Sequence, residues 1–200
     1  MDLNELTIPA DLQDRILTGK QVQLWPWSRG YYPRDVLFYL WRMMEQEQMT
    51  NTVFYSQTST TEQTPVSTHM DLIEFVHFFS DAQHCRLLII PQHIASGEMI
   101  GFIWFDNVIL GQTATGNIFY RRKFWGDVGQ EATRLALKYA FEALHVKKVW
   151  GQSPWRAATA HIERAGFFKV CDVPEAVIDR RGIARTLFVR AITRKEFYGQ

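Results

Sequence analysis

Residues 115–151 read, in order, as a strand, a basic turn, an amphipathic helix and a second strand, so the chain folds around a β-helix-β crossover. The first strand is Thr115 to Arg121. The helix starts near Gly129 and runs through Leu135, Leu137, Tyr139, Ala140, Phe141 and Leu144 at helical spacing, and the second strand is Val146 to Gly151, VKKVWG. A helix joining two strands packs on the sheet they enter, which makes the expected fold class a layered α/β (α+β) one.

The flanking sequence extends this pattern. Gln21 to Trp27 reads as a strand, and Pro33 opens a helical pattern through Val36, Leu37, Leu40, Met43 and Met44. Met49 to Thr68 is crowded with Thr, Ser and Gln and broken by Pro65, which predicts a loop with one short strand near Thr52 to Tyr55. Asp71 begins a short helix with Leu72, Phe75, Val76 and Phe79 at helical spacing, ending near Ser80-Asp81, and Arg86 to Pro91 is a buried strand. Glu98 to Asp106 pairs with the strand at Thr115 across the turn chemistry of Asp106-Asn107 and Gly111. Downstream, Ser153 as N-cap and Pro154 at the first helical position open a helix that ends at Gly166. Phe167 to Cys171 is then extended, and Arg185 to Ile192 forms the last strand, with Leu187, Val189 and Ala191 on one face.

Composition narrows the function classes. The 200 residues are 46% hydrophobic and suit one domain, 1–200, in which 1–20 is an N-terminal extension. A formal charge of +1 lacks the basic footprint of a nucleic-acid binder. The basic residues Arg180, Arg181, Arg185, Arg190, Arg194 and Lys195 alternate with apolar ones and read as a solvated strand face. Cys85 and Cys171 lie in no metal-ligand or disulfide framework, and the six histidines lack ligand spacing, so no metal is expected. No stretch approaches the roughly 18 apolar residues of a membrane span, and a soluble cytoplasmic protein is the expectation.

The turn from Arg121 to Gln130 has the chemistry of an anion site. Arg121, Arg122 and Lys123 bring positive charge. Gly126 and Gly129 allow close backbone approach, and a helix start offers free N–H groups and the positive end of its dipole.

At these residues the chain resembles a known family, the GNAT superfamily of acetyl-coenzyme A-dependent N-acyltransferases, and within it the RimJ/RimL-like branch. The likeness spans Glu98 to Phe168: the strand pair, the turn Phe124-Trp125-Gly126, the helix text from Glu131 to Val149, with Glu131-Ala132 and Tyr139-Ala140-Phe141, and the closing Gly166-Phe167. The resemblance implies a mixed, mostly antiparallel central sheet split into a V and flanked by about four helices. It implies acetyl-CoA as cofactor-substrate, its pantetheine arm lying between the strand that holds Phe119 and Tyr120 and the strand at Val146 to Gln152. Its pyrophosphate would sit on Trp125, Gly126, Asp127, Val128, Gly129 and Gln130, with the amides of Val128, Gly129 and Gln130 as donors. The positions beside the arm, where the branch carries Asn and Ser, fall on Trp155 and Ala158.

Direct attack of an amine on a thioester needs a way to accept the amine's proton and to protonate the leaving thiolate. The candidates are Tyr120 and Tyr139 as proton donors and His161 as a base, each set against a packing role. Trp125 and Trp155 fall in loops that border the cleft and could line a groove or a partner surface. Two functions follow: acetyl transfer to an amine-bearing substrate, a protein N-terminus or a small molecule; or a catalytically silent GNAT-fold protein that binds a protein partner, for example a phage morphogenesis factor acting in the host cytoplasm or the virion.

Overall fold

In the computed structural model, residues 16–27, 34–50, 55–57, 71–80, 86–179 and 182–199 are described. Their strands are β1 (Leu17–Thr18), β2 (Val22–Trp27), β3 (Tyr55–Gln57), β4 (Leu87–His93), β5 (Gly101–Ile109), β6 (Thr113–Tyr120), β7 (Lys148–Ser153), β8 (Phe168–Asp179) and β9 (Ala184–Thr193). Their helices are α1 (Arg34–Gln46), α2 (Leu72–Ser80), α3 (Asp127–Glu142), α4 (Arg156–Arg164) and α5 (Arg194–Tyr198). The strands form one sheet in the order β1-β2-β4-β5-β6-β7-β9-β8-β3. Every neighbouring pair is antiparallel except β6 and β7, which α3 joins as a parallel crossover.

Side-chain alternation builds two cores, one on each face. On β5 and β6, Phe102, Trp104 and Phe119 point to α1 and α2, where they meet Leu37, Leu40, Met44, Phe75 and Phe79. Ile103, Phe105 and Tyr120 point the other way, to α3 and α4. α3 meets that face with Ala132, Ala136, Leu137, Ala140 and Phe141, and the small residues bring the helix axis close to the sheet.

Several boundaries differ from the sequence expectation. α3 begins at Asp127 because Gly126 serves as N-cap at φ 95, a conformation open to glycine. Pro154 does not open α4: the helix begins at Arg156 with Trp155 as its N-cap, while Ser153 ends β7 and its Oγ accepts the Trp155 N–H at 3.1 Å. A fifth helix, α5, closes the chain through a capping box in which Thr193 and Glu196 bond each other's backbone N–H groups. Arg190 is not on a solvated face: it is 5% exposed and bonds Glu163 at 2.6 Å and Asp172 at 2.8 Å, tying α4 to β8. Of the strand expected near Thr52 to Tyr55, only Tyr55 falls within the described residues, where it opens β3, and of the N-terminal extension only residues 16–20 do. Arg180, Arg181 and Cys85 lie outside them.

Candidate active site

The parallel ladder between β6 and β7 stops early. Its pairs run from Thr113–Lys148 to Gly116–Gly151, after which β6 continues to Tyr120 and β7 to Ser153 without pairing each other. The strands fork there, and the sheet opens into the expected V. Alternation fixes which peptide groups face the opening. The Gln112 carbonyl accepts the Lys148 N–H at the closed end, and the Tyr120 carbonyl accepts the Trp125 indole Nε1–H at 3.0 Å at the open end. Ile118, of the same parity and past the last pair, therefore turns its N–H and C=O toward the fork. Such a strand edge can take an extended ligand as an added strand. A cavity of about 1080 Å³ fills the fork and reaches both faces of the sheet, lined by Ile118, Tyr120, Thr133 and His161 on one and by Trp104, Asn117 and Met49 on the other.

At the rim, Arg122 and Trp125 line the cavity, and Arg122 is exposed. The N-terminus of α3 follows. No side chain caps it, so the N–H groups of Asp127, Val128 and Gly129 are its unbonded donors. Gln130, expected to be a donor beside Val128 and Gly129, instead gives its N–H to the Gly126 carbonyl at 2.9 Å as the first bond of the helix, and Asp127 takes its place among the open groups. A Cβ on Gly126 would meet nothing within 4 Å, so the turn is open; one on Gly129 would press the Phe124 carbonyl at 3.0 Å and the Tyr120 ring at 3.2 Å. Asp127 is exposed, so solvent screens its carboxylate beside this turn. Arg121 and Lys123 do not line the cavity: Arg121 pairs with Glu47 and Glu98, and Lys123 with Glu98, which lowers the Glu98 pKa chiefly through the Lys123 hydrogen bond.

On the α3 side the cavity wall is a chain of buried polar groups whose protons can be assigned. Gln130 Nε2 lies 2.9 Å from the His161 carbonyl and 3.0 Å from its Nδ1; a carbonyl only accepts, so the amide NH2 faces it and also donates to Nδ1. The His161 proton then sits on Nε2 and is donated to Thr133 Oγ1 at 2.9 Å. Thr133 gives its own proton to the Gly129 carbonyl at 3.0 Å, so the Tyr120 hydroxyl is the donor in its 2.9 Å bond to Thr133. Burial, with Arg164 nearby, pushes the His161 pKa down to about 4, and burial raises that of Tyr120. Both are neutral at ordinary pH.

The fork thus gathers Phe119, Tyr120, Arg122, Trp125, Trp155, Ala158 and His161 of the residues singled out from sequence. Tyr139 is elsewhere, buried in the core on α3 without lining the cavity. Thr133, Asn117 and Gly116 were missed. Thr133 sits two residues after Glu131 on the helix, and a polar residue on a helix face otherwise built of Ala132, Ala136 and Ala140 was a readable signal. Asn117 and Gly116 break the β-branched run of β6, the kind of interruption that marks close approach or a special role.

No family model and no curated protein matches the sequence. Solved structures do match the fold. A probable GNAT-family acetyltransferase from Chromobacterium violaceum aligns at TM-score 0.67 and 17% identity, over 92% of this chain and 88% of the other. An acetyltransferase-like protein from T. thermophilus aligns at TM-score 0.67 and 16% identity, over 92% of each chain. Spermidine N-acetyltransferase from Vibrio cholerae, in complex with CoA and spermine, aligns at TM-score 0.65 and 13% identity, over 88% and 98%. With these matches and the forked sheet, the chain has the fold of the GNAT acetyltransferases.

Proposed function

We propose that this protein transfers an acetyl group from acetyl-CoA to an amine. The observation that supports this most is the fork itself: a parallel strand pair that ends at Gly116 and Gly151 over a large cavity, with an uncapped helix N-terminus and Arg122 at its rim. Ile118 offers strand-like hydrogen bonds to an amide-bearing arm, and the N–H groups of Asp127, Val128 and Gly129 suit a pyrophosphate. Acetyl-CoA supplies a thioester whose carbonyl carbon bonds the amine nitrogen as the C–S bond breaks, the nitrogen's proton leaving and the thiolate gaining one. A neighbour of this fold that carries CoA and spermine supports an amine as acceptor.

The residues at the fork bind and orient without acting as a base. His161 has both ring nitrogens engaged, and Glu163, the one carboxylate among the described lining residues, pairs with Arg190 at 2.6 Å. Tyr120, held protonated by burial, can donate once its hydroxyl turns from Thr133. The amine therefore reacts in its unprotonated form, and the rate should rise with pH along the acceptor's own titration, with no inflection from His161 near its usual 6.5. The test is release of CoA thiol from acetyl-CoA mixed with a panel of primary amines; absence of amine-dependent release across the panel would sink the reading. The second reading, a silent binding protein, is favoured by the Trp125 indole, which occupies the Tyr120 carbonyl at the mouth of the fork. Trp125→Phe separates the two, since it frees that carbonyl and raises acetyl-CoA affinity only if the arm enters there.

A further inference from the structure

The cavity opens on both faces of the sheet, and the face away from α3 has a chemistry of its own. Asn117 is the first residue of β6 beyond the last β6–β7 pair, and its side chain lies on the side of Trp104 and Phe119, below the turn that ends α1. That turn is fixed by Gln48 at φ 55 and by the Met49 N–H donating to the Met44 carbonyl at 3.0 Å, which sets Gln48 and Met49 over the fork. Behind Asn117 stands Asp106. One of its oxygens pairs with Arg86 Nε at 2.9 Å; the other accepts from Trp104 Nε1 at 2.9 Å and from Asn117 Nδ2 at 3.1 Å.

A carboxylate can only accept, so Asp106 fixes which end of the Asn117 amide it holds. Nδ2 is turned inward, and Oδ1 is left as an acceptor on a residue that lines the cavity. Asp106 itself is balanced by Arg86 and does not line the cavity. The charged side chains of the described lining residues are Arg122, Arg164 and Glu163, and Glu163 is paired with Arg190. Trp104 is 3% exposed, with its ring against Phe78, Phe79 and Phe102, so it presents no open aromatic face to a cation.

We infer that the acceptor is a primary amine on an apolar body with no second cationic group, and that Asn117 Oδ1 receives its N–H at the fork. This deepens the acyltransferase reading and rests on it. An unprotonated amine gives one N–H to Oδ1 and keeps its lone pair for the acetyl carbon. A polyamine would bring further ammonium groups to Met49, Phe119 and Trp104, where the described lining offers no unpaired carboxylate and desolvation goes uncompensated.

The experiment compares phenethylamine with spermine as acceptors at saturating acetyl-CoA, in the native protein, Asn117→Ala and Gln48→Glu, with acetyl-CoA affinity measured by calorimetry on each. The native protein should favour phenethylamine by at least tenfold in kcat/KM. Asn117→Ala should raise the phenethylamine KM several-fold with acetyl-CoA affinity unchanged. Gln48→Glu, which adds a carboxylate to the lining over the fork, should narrow the preference. Equal or better use of spermine, an unchanged KM in Asn117→Ala, or acetyl-CoA binding with neither amine acetylated overturns the inference. Absence of acetyl-CoA binding to the native protein overturns the acyltransferase reading beneath it.

Discussion

The two faces of the sheet are held by different kinds of contact. Toward α1 and α2 the packing is aromatic: Phe102 touches Phe75, Phe79, Trp104 and Phe119 with ring centroids 5.1 to 6.1 Å apart. Toward α3 and α4 the packing beside the fork is small and polar, with Gly129, Ala132, Ala136 and Gly151 beside the chain Tyr120–Thr133–His161–Gln130, while Phe105, Leu137 and Phe141 fill the core. Large rings lock strands into place and leave little to rearrange. Small residues let helices approach a sheet that has parted; a Cβ on Gly151 would already lie 2.7 Å from the Ile162 side chain. One face serves as an aromatic platform, and the other forms the polar wall of the cavity.

Four changes break or sharpen that contrast. Phe102→Ala removes the hub of the aromatic face, and urea denaturation should show a loss of about 3–5 kcal/mol. The surviving folded fraction should still bind acetyl-CoA with unchanged affinity. On the polar face the expected signature is acid sensitivity. His161 has a folded pKa of about 4 against 6.5, so between those values the unfolded chain binds more protons and stability falls as pH falls. The contribution is fully present above pH 6.5 and lost toward pH 4, roughly 3 kcal/mol at most from the size of the shift. Denaturation midpoints across that window should decline in the native protein and flatten in His161→Gln. Thr133→Val leaves the Tyr120 hydroxyl and the His161 Nε2–H without their acceptor and should cost about 1–3 kcal/mol in the same assay. Trp125→Phe, at a half-exposed site, removes a single bond to the Tyr120 carbonyl and should cost no more than about 0.5–1.5 kcal/mol.

The crossover and the long helix were legible because Leu137, Ala140 and Phe141 repeat with the helical period, and β-branched and aromatic runs mark β4, β5 and β9. The strand-to-helix turn was legible from Gly126 and its basic neighbours, although which N–H groups it leaves open depended on where the helix started. Arg121, Arg122 and Lys123 look equivalent in sequence, yet only Arg122 reaches the cavity; Glu47 and Glu98, distant in sequence, engage the other two. Tyr120 and Tyr139 both sit in apolar stretches, but Tyr120 ends the strand that forks from β7, whereas Tyr139 lies on α3 away from the cavity. The capping box at Thr193 and Glu196 stands in the sequence as T-x-x-E, but the single turn that follows it is too short to show an apolar helical period. Asn117 gained meaning from Asp106, 11 residues earlier, through a strand register that spacing does not reveal.

The central claim is that the fork between β6 and β7 holds acetyl-CoA with its phosphates near Arg122 and the start of α3. The most direct measurement is calorimetric titration of acetyl-CoA into the native protein and into Arg122→Glu, a change at an exposed side chain that leaves the core untouched. The account predicts micromolar binding to the native chain, weakened by about tenfold or more when the charge is reversed. No binding at millimolar acetyl-CoA, or equal affinity in the two proteins, would contradict it.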